Sequence, residues 1–177
     1  MMKRISTISA FALTIAMAAL VQAATPYQPK NQSYKIQFPG APTEQVDKSQ
    51  SSAGELSSVN AIFETANGAY VSSYTDIGDA CQKRKVDVQT VLKNSREGAL
   101  AANKATLIRE KPLQAGGISG TEFLASISEK GEKGVILHQI FFSDKTCRIY
   151  QAIVTGPEGI ESKPETTAFF ASFEGMK

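Results

Sequence analysis

Histidine occurs once in this sequence and cysteine twice, with no CxxC pair between them. Two cysteines and one histidine at these spacings make no recognisable zinc set, and a thioredoxin-like redox centre is excluded as well. The run Gly116-Gly117-Ile118-Ser119-Gly120 is not a GxSxG elbow, because its spacing differs and a strand, not a helix, is expected after it. The same glycines fail as a phosphate loop, which needs a helix N-terminus to present its N–H groups. A turn is the better account. Asp76 and Asp79 around Gly78 offer two oxygens where calcium takes six or more. No metal or cofactor is expected.

A lasting excess of charge is missing too. The formal net charge is +2, and residues 1–23 hold Lys3 and Arg4 but no acid; without them 17 basic residues face 17 acidic ones. A general affinity for nucleic acid is therefore not expected. Lys83-Arg84-Lys85 is the densest basic run, but it lacks interleaved aromatics and reads as a solvated loop. Long apolar runs are absent except near the start. There a basic Met1–Arg4 precedes the uncharged residues 8–20 and a small-residue Val21-Gln22-Ala23 end. This is the pattern of a secretory signal cleaved after Ala23, leaving no stable membrane span. Residues 1–23 are the expected signal and 24–177 a single domain, periplasmic or secreted. In such an oxidising compartment Cys81 and Cys147 are expected to form a structural disulfide.

What is present is β-pattern. Residues 135–142 and 147–155 are apolar runs around the polar turn 143–146, a hairpin that we take as the core of the sheet. Neither run is polar on one face, so both faces of the sheet should be covered. Strands are also expected at 34–38, with Tyr34, Ile36 and Phe38 inward, and at 43–48, 59–65, 69–75, 106–113 and 121–128. Asn67-Gly68 marks one hairpin turn. Residues 25–33 read as an extended lead-in, 49–58 as a serine-rich loop, 76–85 as a polar connection and 114–120 as a turn.

One helix is expected from Val88 to Ala102. Val88, Val91, Leu92, Ser95, Ala99 and Ala102 share its face, Asp87 caps its start and Gly98 marks close packing. A second runs over 162–174, with Ser162 and Glu165 at capping-box spacing and Phe169, Phe170 and Phe173 as its buried stripe. The fold class is α+β, an antiparallel sheet with helices packed on both faces.

Tyr34-Lys35-Ile36-Gln37-Phe38-Pro39, the strand entry at 117–121, Arg148-Ile149-Tyr150 and the closing 169–173 stretch with Ser172-Phe173 resemble the PsbP-like group. That group comprises the extrinsic photosystem II protein and various exported bacterial proteins. The resemblance spans roughly residues 24–177 and implies an antiparallel sheet between helices. It implies no catalytic set, metal or enzymatic activity.

His138 sits mid-strand among apolar residues with no nucleophile or orienting carboxylate placed beside it in sequence, so a hydrogen-bonded core role is expected. Tyr74, Tyr150 and Arg148 join His138 as candidates for a pocket, against the plainer reading that strand tyrosines complete the core. The functional expectation is an exported, non-enzymatic binding or scaffold module for an unknown protein or small-molecule partner in the cell envelope. The alternative is a hydrolase-type enzyme whose site is assembled from scattered residues. A deep polar pocket around His138 or clustered carboxylates would favour the enzyme.

Overall fold

The computed structural model describes residues 24–31, 33–51, 54–78, 81, 86–129 and 131–174. The expected signal at 1–23 and the run Lys83-Arg84-Lys85 lie outside them. Nine strands and two α-helices are described: β1 (Thr25–Tyr27), β2 (Ile36–Phe38), β3 (Thr43–Ser51), β4 (Gly54–Thr65), β5 (Gly68–Asp76), α1 (Val88–Ala102), β6 (Thr106–Ala115), β7 (Ile118–Glu129), β8 (Glu132–Ser143), β9 (Arg148–Gly156) and α2 (Pro164–Ala171). A 3₁₀ turn, Ile160–Ser162, precedes α2. Seven strands form one antiparallel sheet in the order β3-β4-β5-β9-β8-β7-β6, and β1 pairs with β2 apart from it. The fold is α+β.

Short-range chemistry accounts for most connections. β4 and β5 turn at Ala66-Asn67, with Thr65 paired to Gly68. β6 and β7 turn at Gly116-Gly117, whose φ values of 59° and 79° are those a two-residue primed turn requires. The turn is thus tighter than the expected 114–120, because paired glycines let the ladder run on to Ala115 and Ile118. Cys147, placed by its pattern in the strand, lies in the β8–β9 turn at φ 52°. The Asp87 carboxylate accepts from the Thr90 N–H at 2.8 Å and caps α1 as expected.

Within the serine-rich stretch, residues 49–51 and 54–58 are strand and not loop. β3 and β4 pair through Asp47↔Ser58, Ser49↔Leu56 and Ser51↔Gly54, so the backbone ladder extends where side-chain composition argued against it. The lead-in likewise contains β1, with Pro26 on a two-stranded ribbon. α2 is shorter than 162–174: its N-cap is Lys163 and no side chain caps it, so the capping box does not form. The preceding 3₁₀ turn already uses Ser162, whose N–H donates to Gly159 O at 3.2 Å.

Two apolar clusters make up the core. Val135, Leu137 and Phe141 of β8 join Tyr34, Ile36, Phe38, Tyr70, Tyr150, Phe169 and Phe173. Ile140 and Phe142 of the same strand join Phe123, Leu92 of α1 and the two cysteines. The segments before β2 and after α2 are tied together by Lys35 and Glu174, whose backbones exchange bonds of 2.8 and 3.0 Å. Two buried tyrosine hydroxyls are paired: Tyr34 with Ser72 at 2.8 Å, and Tyr70 with Thr166 at 3.2 Å. Thr166 donates to Ile160 O at 2.7 Å, so Tyr70 is the donor to Thr166.

On α1 only Leu92 is fully buried, and Ala102 is exposed. Gly98 does not mark close packing, since a Cβ built there meets nothing within 4 Å. The Gly98→Ala variant is therefore expected to be more stable, by about 1 kcal/mol, through helix propensity alone. Urea denaturation reads this directly, and a destabilised variant would show that the glycine has a packing role.

Candidate functional site

Among the described residues, a concavity lies where β2, the β4–β5 turn, the 3₁₀ turn and α2 meet, a groove of about 630 Å³. Beneath it lie buried aromatic rings, with partly buried Phe63 at its side. Phe38 and Phe169 stack edge-on with centroids 5.1 Å apart, Tyr70 meets Phe169 at 5.3 Å, and Phe63 leans on Tyr70 at 6.3 Å. Ile160 and Ala168 extend the apolar lining, and Ala24, Asn67, Lys163 and Glu165 complete it with polar groups and the start of the described chain. Burial pushes the Tyr70 phenol up, against the Thr166 bond that lowers it, so it stays protonated and donates.

None of the four residues singled out in the sequence lines this groove. Tyr74, Tyr150 and Arg148 do come together, the tyrosines buried and the Arg148–Asp76 pair partly exposed at the rim of the core. The Arg148 guanidinium carbon sits 5.5 Å from the Tyr74 ring centre and its Nε donates to Asp76 at 2.5 Å. Tyr34 packs edge-on against both Tyr74 and Tyr150, with centroids 6.4 and 6.2 Å apart. Burial raises the Arg148 cation's cost, yet its bond to Asp76 carries the pKa above the ordinary value. This is an aromatic and ionic closure of the core.

His138 belongs elsewhere. Together with Ile140 and Phe142 it occupies the alternate positions of β8, with its ring 5.0 Å from that of Phe123. It is 3% exposed, and its Nε2 lies 2.9 Å from Gln151 Oε1, so Nε2 carries the proton and donates. Gln151 passes a longer 3.4 Å bond to Ser73. Burial holds the imidazolium pKa down to about 4, against the Gln151 bond that favours the charged form. A base in this setting has an amide for a partner where catalysis would use a carboxylate.

Two polar sites complete the picture. Glu122 is buried and accepts from Gln139 at 2.8 Å, Lys111 at 3.0 Å and Arg109 at 3.3 Å. Burial pushes its pKa up, but these donors outweigh it and hold the carboxyl below its ordinary value. Between α1 and β6–β7 a cleft of about 470 Å³ contains the Arg96–Glu110 ion pair, to which Thr121 donates at 2.8 Å. In each cluster the carboxylate is paired to a neighbouring cation. Among the described residues, no three His, Cys, Asp or Glu side chains gather as a metal-ligand set, and no helix is long and apolar enough to cross a membrane.

A solved structure shares this fold. The solution structure of cyanobacterial PsbP (CyanoP) from Synechocystis sp. PCC 6803 matches over 92% of this chain and 98% of its own, at 11% identity and a TM-score of 0.57. The fold is PsbP-like. Looser matches to other chains are the Pseudomonas aeruginosa protein of unknown function PA94 and LpqN of Mycobacterium tuberculosis. PA94 is 11% identical over 78% of this chain and 86% of its own, with a TM-score of 0.39. LpqN is 12% identical over 90% and 96%, with a TM-score of 0.44, and is described as involved in cell envelope biogenesis. No protein-family model matches the chain, and no curated protein does.

Within the PsbP-like fold, the groove residues Phe63, Ile160, Lys163 and Ala168 escaped the sequence reading. One signal was available: an aromatic on each side of the Asn-Gly turn, Phe63 and Tyr70, at a position where a hairpin end stands near solvent.

Proposed function

We propose that this protein is an exported, non-enzymatic binding module, periplasmic or secreted, that takes an apolar or aromatic group of its partner into the groove beside α2. The observation that carries this reading is the groove itself: a concavity of about 630 Å³ with partly buried Phe63 on its side, the buried rings of Phe38, Tyr70 and Phe169 beneath it and a few polar groups at its edge. Ligand sites have that size and that balance. Export is supported by the signal-like residues 1–23 and by the Cys81–Cys147 disulfide. Helix α1 covers one face of the sheet and α2 the other in this reading, which the alternate sorting of β8 residues between two clusters supports. The hydrolase alternative needs a deep polar pocket around His138 or clustered carboxylates; the pairing of His138 with Gln151 in the core and of Glu122 with Arg109 and Lys111 favours binding over turnover.

Ala168 is exposed on α2 and lines the groove, so a large side chain there fills the cavity without disturbing the core. Native mass spectrometry of protein purified from the exported fraction is expected to show an adduct, or fluorescence a bound anilinonaphthalene dye. Ala168→Trp should abolish either signal at unchanged melting temperature. Dye or adduct binding untouched by Ala168→Trp would place the site elsewhere. Ester hydrolysis lost in His138→Gln at equal stability would overturn the non-enzymatic reading.

A further inference from the structure

The large sheet ends on β3 and β6, and the two edges are built differently. β6 is broken by a register shift between Leu107 and Arg109 and holds Pro112, which has no N–H to offer a neighbour. Bulges and prolines of this kind blunt an edge against further pairing. β3 has neither. It pairs with β4 without interruption from Thr43 to Ser51, and its other side has no strand partner among the described residues. Val46, in the middle of it, is 60% exposed, more than Leu107 or Ile108.

The side chains along this edge are self-complementary. Glu44, Val46 and Lys48 alternate onto one face. We propose that β3 pairs with β3 of a second copy of this chain, antiparallel and centred on Val46, to form a two-fold dimer with one continuous sheet. In that register Val46 lies against Val46 of the second copy, and each Glu44 stands opposite the other copy's Lys48. Opposite charges directly across an antiparallel pair are favourable, and like charges are not. On the other face Gln45 meets Asp47, with no like charges opposed. The neighbouring symmetric registers are worse. Centring on Asp47 would set two carboxylates against each other, and centring on Gln45 would bring Pro42 opposite Lys48.

Existing bonds hold the groups in place for this. Tyr27 donates to Glu44 at 2.6 Å and Asn60 to Asp47 at 2.8 Å, which fixes both carboxylates along the strand while leaving each with acceptor capacity. The interface is isologous, as closed dimers require.

Sedimentation equilibrium of the disulfide-intact protein, from micromolar to millimolar concentration, is expected to show a monomer–dimer equilibrium. Lys48→Glu sets acid against acid twice and should weaken the dimer by about tenfold or more. The double variant Glu44→Lys/Lys48→Glu restores the opposite pairs and should recover it, with circular dichroism confirming the fold. Under mild oxidation Val46→Cys should give a covalent dimer on a non-reducing gel, while Gln45→Cys, facing Asp47, should not. A wild type that stays monomeric throughout overturns the proposal. So does a dimer indifferent to Lys48→Glu, a double variant that stays monomeric while folded, or a Val46→Cys protein that does not cross-link.

Discussion

Replacing Cys81 and Cys147 by alanine is expected to cost this domain about 4 kcal/mol of stability and to lower its melting temperature by roughly 10 °C. The two cysteines are bonded with Cα atoms 5.8 Å apart across a sequence separation of 66. So long a closed loop removes much of the unfolded chain's freedom, and that freedom returns when the link is cut. The bond also has a native-state role. Cys147 sits in the β8–β9 turn and its carbonyl accepts from the Ile77 N–H at 3.1 Å, so the link pins the segment leaving β5 to the tip of the core hairpin. Both sulfurs lie in the cluster with Leu92, Phe123 and Ile140, which means that alanine leaves a small cavity as well. Alanine keeps a Cβ at the left-handed Cys147 position, so no new backbone effect enters. The variant should stay folded at room temperature because the second cluster, around Tyr34 and Phe169, does not involve the link. Calorimetry of the oxidised wild type against the double variant measures the effect; equal melting temperatures would mean that the bond contributes nothing.

Acid should destabilise the protein through His138 before its carboxylates matter. The ordinary histidine pKa of 6.5 is pulled down to about 4 in the fold. Between those values the unfolded chain binds a proton that the folded state refuses, so stability falls as pH is lowered through this window. Above pH 6.5 neither state is charged and the contribution vanishes. Going from pH 7.5 to pH 4.5 should cost about 2 to 3 kcal/mol from this residue alone. Glu122 acts with the same sign but lower on the scale. Its folded pKa is depressed, so its contribution is present above the ordinary carboxylate range and is lost as pH falls through the depressed value. His138→Gln removes the histidine term and leaves the carboxylate one. Urea denaturation of both proteins at pH 7.5 and 4.5 should therefore show a much shallower pH dependence in the variant. Parallel profiles would mean that His138 takes up its proton without penalty, and a buried neutral imidazole would no longer describe it.

How far the sequence reached follows the range of the physics involved. A period of two, an Asn-Gly or Gly-Gly turn and an Asp87 cap are all local, and β4, β5, β7, β8, β9 and α1 were legible for that reason. With two cysteines in the chain the disulfide had one candidate pairing. Where composition and long-range pairing disagreed, pairing prevailed: residues 49–51 and 54–58 extend as strands because each backbone has a partner across the β3–β4 ladder. The Ser162 cap failed for the opposite reason, since a 3₁₀ turn that no periodicity announces had already used its N–H.

The amino-acid sequence by itself thus determined an α+β sheet protein, its hairpins, its core strand pair and its cross-link. Tertiary structure alone decided which side of the sheet each candidate residue occupies and where the chain forms a groove. Phe38, Phe63, Ile160 and Phe169 meet across more than a hundred residues through the packing of α2 and β2 onto the sheet, and the Lys35–Glu174 closure holds that packing together. No local pattern encodes such a meeting, because side-chain spacing along one element says which face a residue takes but not what another segment brings to it.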